Sequence, residues 1–137
     1  MNTKALMIAT SVCLGAAGIA ASFAPAELLG ALGVPSPVQL VVFVQLLGAL
    51  YLAFAMTNWT AKGNLIGGIY SRPLSLGNFL HFAMGALALA KAQLAEAASP
   101  LLVTLLVFYT TFALAFGYLV FGRGAACVVG APRREGG

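Results

Sequence analysis

Acidic side chains are almost missing. Three glutamates, Glu27, Glu96 and Glu135, and no aspartate serve 137 residues. Charged residues of both signs make up 7% of the chain, against roughly 25% in soluble domains. Seven basic and three acidic groups cannot solvate a globule of this size. That scarcity excludes a soluble secreted enzyme, a nucleic-acid module and a disordered tail. Histidine occurs once, at His81, so bis-histidine haem ligation is excluded. A His–Met haem would need Met7 or Met56 from another helix, because Met84 follows His81 on the next turn. Cysteine occurs twice, at Cys13 and Cys127, with no metal-ligand spacing and no disulfide framework. CxxC, HExxH and GxxxxGK[ST] patterns are all absent.

What the chain has in excess is apolar surface, with 61% hydrophobic residues. Soluble domains hold about 45–50%. The charge gaps set the length of the apolar runs. Lys4 and Glu27 bracket 22 uncharged residues, Glu27 and Lys62 bracket 34, Arg72 and Lys91 bracket 18, and Glu96 and Arg123 bracket 26. A helix crosses the ~30 Å hydrocarbon layer in about 20 residues. The gaps therefore predict four spans, at about 5–23, 38–58, 74–95 and 101–122. No alternation marks strands, and open sheet edges do not survive in lipid. The fold class expected is all-α: an integral membrane four-helix bundle, up-down-up-down, over residues 1–124. The Gly- and Arg-containing stretch 125–137 is expected to be a cytoplasmic tail.

Proline and glycine punctuate these spans. Ser36-Pro37 and Ser99-Pro100 each offer an N-cap hydroxyl before a first-turn proline, and Pro73 follows Arg72 in the same way. Pro25 opens a short apolar segment, 26–33, that is too short to span and is expected in the membrane interface between the first two helices. Lys4, the following apolar run and Ser22-Phe23-Ala24 also resemble a secretory signal. The expectation is that this first span is retained.

With the N-terminus inside, the inner side carries Lys4, Lys62, Arg72, Arg123, Arg133 and Arg134, and the outer side only Lys91. That bias places both termini of a multi-pass cell-membrane protein in the cytoplasm. Trp59, Tyr70, Phe79 and Tyr118 then fall near the inner boundary, where an aromatic belt is expected. The basic balance needs no nucleic acid, because topology and anionic lipid account for it.

Lipid is as apolar as leucine, so close packing through small residues must hold the helices together. Span one offers Ala9, Cys13, Ala17 and Ala21. Span three offers Gly85, Ala88 and Ala92, and span four Ala113 and Gly117. Gln45 is expected to hydrogen-bond between helices. Thr104, Thr111 and Tyr118 share a face of span four and are expected to bond back to their own helix or to pack.

The most unusual stretch is Asn58 to Phe82, NWTAKGNLIGGIYSRPLSLGNFLHF. It gathers three asparagines, the only histidine and an arginine near one membrane face. Asn78, His81, Gly85, Ala88 and Ala92 share a helix face by their 3-4-3-4 spacing. His81, about seven residues into span three, thus points where the small residues point. Tyr51 and Tyr118 fall at comparable depths on other spans. Two uses fit this placement. His81 and Asn78 can serve as interhelical polar contacts, or His81 can line a pocket for a quinone headgroup, a lipid headgroup or a small substrate with Tyr51 and Tyr118. Arg72, flanked by Gly67-Gly68 and Pro73, is read first as a topology charge and second as an anion anchor. No catalytic residue, metal ligand or cofactor contact is assigned.

Two segments, APAELLGALG at 24–33 and QLLGALYLA at 45–53, resemble the DoxX-like group of small four-helix bacterial membrane proteins. The likeness covers roughly the first half of the chain and the helix count. Some DoxX-related proteins are subunits of thiosulfate:quinone oxidoreductases or partner redox enzymes, so the resemblance implies association with such a complex. The chain departs in lacking charged residues within the spans that map to a site, and no functional residue is carried over.

Taken together, these readings lead to the expectation of a non-catalytic accessory or structural subunit, packing in the bilayer against other membrane subunits or itself. A quinone-linked or small-ligand protein is the alternative, and an oligomeric channel or transporter the third reading. A channel needs a continuous polar line, and the spans lack one.

Overall fold

The computed structural model describes residues 3–63, 71–95 and 100–122. Among them there is no strand. Five α-helices follow in order: α1 (Thr3–Phe23), α2 (Pro25–Ala31), α3 (Val38–Ala61), α4 (Ser71–Ala95) and α5 (Pro100–Gly117), the last continuing into a π-helical turn, Tyr118–Gly122. Four of the helical segments are long and apolar enough to cross a membrane. The expected tail at 125–137 lies outside the described residues, as do Arg123, Glu96, Ser99, Tyr70 and the Gly67-Gly68 pair.

The long helices start within three residues of the expected spans, α3 at Val38 as expected and α5 at Pro100, but the cap of α3 differs. Pro37, not Ser36, is the N-cap of α3, with φ −62° and ψ 151°, and no side chain caps it. Its carbonyl accepts the first helical bond from the Val41 amide at 3.0 Å. The extended ψ at Pro37 keeps that residue outside the helix, which begins at Val38. α4 begins at Ser71 rather than 74. Pro73 then sits in the first turn, where its missing N–H leaves no helical bond unmade. His81 is thus ten residues into α4, about 15 Å from its start.

The short segment after α1 is helical. Gly33 ends it with φ +69°. The Gly33 amide bonds to the Gly30 carbonyl and the Val34 amide to the Leu29 carbonyl, at 3.0 and 2.9 Å. This is a Schellman arrangement, and a side chain at the left-handed position would be strained.

The chain divides into two compact units, Met1–Ile66 and Gly67–Gly137. In the first, α1 and α3 run antiparallel and touch backbone to backbone. A Cβ on Gly18 would lie 2.9 Å from the Leu52 nitrogen and 3.0 Å from the Gly48 oxygen. A Cβ on Gly48 would lie 2.7 Å from the Ser22 nitrogen. The Ser11 hydroxyl donates to the Ala55 carbonyl at 3.0 Å and ties the same two helices nearer their other end. The buried residues of α1 are Met7, Thr10, Ser11, Leu14, Gly18 and Ala21. This differs from the alanine stripe expected from sequence, since Ala9 and Ala17 are exposed. The reason is steric. Two facing glycines let the backbones approach closer than any row of alanine methyls can.

In the second unit, α4 and α5 pack through aromatic rings. Phe82 is fully buried. Its ring stacks on Phe112 and Phe116, with centroids 5.0 and 6.0 Å away, and meets Phe108 and Tyr109 at steeper angles. Gly85 faces the Tyr109 ring so closely that a Cβ there would overlap it, and Gly117 lies under Phe79. Thr104 and Thr111 donate to the carbonyls four residues back, at 2.8 and 2.7 Å, as expected. Gln45 is exposed on α3 rather than turned into the helix contact.

Candidate functional site

His81 is half-buried on α4. Its ring lies 5.1 Å from that of Phe82 and 5.7 Å from that of Tyr109, centroid to centroid. Tyr109 enters from α5, nine residues after Pro100. The pair therefore sits near the middle of both helices and places an imidazole beside a phenol well inside the apolar length. Asn78, one turn before His81, is fully buried. Its side-chain amide donates to the Leu74 carbonyl of its own helix at 2.9 Å. Asn58 does the same to Phe54 at 2.8 Å near the end of α3 and is equally buried. Ser75 is buried on α4 as well, with no hydrogen bond to its hydroxyl among the described residues.

The other candidates stand on different elements. Tyr51 is half-buried on α3 in the first unit. Tyr118 is exposed where α5 passes into the π-helical turn, and it faces a groove beside Phe79. Arg72 is exposed in the first turn of α4. Among the described residues, no three His, Cys, Asp or Glu side chains gather where they could hold a metal ion.

Sequence reasoning missed Tyr109. A signal was available. Two antiparallel helices joined through 96–99 must place residues at equal distances from that connection opposite one another. Gly85 then falls opposite the stretch containing Tyr109, and a glycine facing an aromatic residue is a packing pair.

Two grooves run along the units. The larger, about 520 Å³, lies between α4 and α5. Its floor carries the small residues Ala83, Ala86, Ala90, Ala113 and Gly117; Leu87, Leu106, Thr110 and Leu114 also line it, with Phe79 and Tyr118 towards one end. The smaller, about 290 Å³, lies between α1 and α3 and is lined by Ser11, Gly15, Leu52, Ala55, Met56 and Trp59 among others. Neither is lined by a charged side chain. No family model, curated protein or solved structure matches the chain.

Proposed function

We propose that this is a non-catalytic accessory subunit of a larger membrane complex, and that it receives a partner's transmembrane helix in the α4–α5 groove. The observation that carries this reading is the groove floor. Helices associate in lipid where small residues let backbones approach. Ala83, Ala86 and Ala90 follow helical spacing along α4, and Ala113 and Gly117 supply the facing wall. From Phe79 to Ala90 the groove follows α4 for eleven residues, about 17 Å, enough to seat three turns of a neighbour. In this reading both termini are cytoplasmic, as the lysine and arginine bias favours, and α2 rests in the outer interface with Glu27 exposed to water. The DoxX-like resemblance suggests a redox complex as the host.

The test is native mass spectrometry of the chain extracted from its own membrane in copolymer nanodiscs. The expected result is co-release with a larger membrane subunit. Ala86→Phe fills the groove, and overpacking of ~1–3 kcal/mol should cut that co-release about tenfold. A lone chain, a pure homo-oligomer, or a complex indifferent to Ala86→Phe would overturn the accessory reading.

A second reading rests on the His81–Tyr109 pair. An imidazole N–H and a phenol O–H side by side, well inside the apolar length of two helices, are the donor types that the carbonyl oxygens of a quinone headgroup accept from. The same spectrum tests it: a lone chain carrying a quinone-mass adduct favours it, and a bare chain removes it.

A further inference from the structure

The α1–α3 groove ends in positive charge. Trp59 closes it near the C-terminal end of α3, and the Lys62 ammonium lies 2.9 Å from the centre of the Trp59 ring. Lys4 belongs to the same end. The antiparallel register that joins Ser11 to Ala55 and Gly18 to Leu52 brings the start of α1 beside the end of α3. Lys4 also shares a face of α1 with Ser11 and Gly15, seven and eleven residues on, and it is exposed. Among the described residues no carboxylate answers these cations. The three glutamates of the chain stand at 27, 96 and 135, and no ion pair to Lys4 or Lys62 forms among the described residues. Above the charged end the walls are wholly apolar apart from Ser11, whose hydroxyl is already spent on Ala55. From Ser11 to Ile19 the groove spans eight residues of α1, about 12 Å. That is close to the depth of one leaflet, about half of a ~30 Å hydrocarbon core. Val12, Ile19, Leu52, Met56 and Trp59 wall it with bulky apolar side chains.

A groove one leaflet deep, apolar along its length and cationic with an aromatic ring at its mouth, matches one molecule in its parts. We infer that it binds an anionic phospholipid, with the phosphate at Lys62 and Lys4 and one acyl chain lying against Gly15 and Ala55. Lys62 keeps donors for the phosphate while it rests on the ring, because an ammonium has three and the ring engages one side of it. The ring holds the ammonium over the groove mouth instead of letting it extend into water.

Trp59 is the chain's single tryptophan, so its fluorescence reports this groove alone. The chain is reconstituted in vesicles of equal phosphatidylcholine and phosphatidylglycerol. Two preparations differ only in which lipid carries brominated acyl chains, so surface charge is constant. A lysine at an anionic surface favours binding about fivefold, and brominated phosphatidylglycerol should quench Trp59 more strongly by about that factor. Lys62→Gln should bring the two lipids near parity, and Lys62→Arg should keep the preference. Equal quenching by both lipids in the native chain would overturn the inference. So would a preference unchanged in Lys62→Gln, or the absence of quenching by either lipid, which would mean that protein fills the groove.

Discussion

Replacing Gly48 with leucine should separate α1 from α3. The residue has no room for any side chain. A Cβ there would meet the Ser22 nitrogen at 2.7 Å and the Ala21 carbonyl carbon at 2.9 Å, as well as the Ser22 hydroxyl. A side chain can rotate away, but backbone atoms cannot. Relief therefore requires the two helices to move apart. That would also open the Gly18–Leu52 contact and stretch the Ser11–Ala55 hydrogen bond, which stand on the same interface. Overpacking ordinarily costs ~1–3 kcal/mol, and a backbone clash belongs at or above the top of that range. The expected loss is about 3 kcal/mol in an SDS-unfolding titration followed by Trp59 fluorescence. Gly30→Leu is the control, since a Cβ at Gly30 meets nothing within 4 Å. Equal stability of the two variants would show that α1 and α3 do not meet at Gly48.

Phe82→Ala should give the largest loss in the second unit. Phe82 is fully buried and touches five other rings: His81, Phe108, Tyr109, Phe112 and Phe116. In a water-soluble core such a truncation costs ~3–5 kcal/mol, part of it transfer from water and part the cavity left behind. Lipid removes most of the transfer part, because the separated helices are still in an apolar medium. The cavity and the lost ring contacts remain. The expected cost is therefore about 2 kcal/mol, read from helix loss by circular dichroism in the same titration. Phe121→Ala is the comparison, as Phe121 is exposed and its ring meets only that of Phe79 among the described residues. An effect no larger at Phe82 than at Phe121 would contradict the aromatic core.

The helices were legible in the sequence because a membrane span is a matter of length and charge. Gaps between Lys4, Glu27, Lys62, Arg72, Lys91, Glu96 and Arg123 place four apolar runs, and four long helices occupy them. The end of the short segment was legible for the same kind of reason, since Gly33 is needed where the chain turns left-handed. Facing surfaces were harder to read. In a span that is apolar all round, no hydrophobic stripe points inward, so Ala9-Cys13-Ala17-Ala21 looked as good as the face that packs. Gly18 and Gly48 decide the matter only as a pair, and pairing depends on register across a turn. The candidate site shows the same division. His81 and Asn78 stand out as rare polar residues in an apolar run. Tyr109 does not, because its significance lies in the ring opposite Gly85 and beside His81.

An α3 that crosses the bilayer sets Ser36 and Gly63 on opposite sides of it. Both positions are exposed, and a Cβ at Gly63 meets nothing within 4 Å. With Cys13 and Cys127 changed to serine, Ser36→Cys and Gly63→Cys are labelled in intact cells with a membrane-impermeant maleimide. The account predicts that the cysteine at 36 reacts from outside and the one at 63 only after the membrane is permeabilised. Labelling of both from the same side would contradict it.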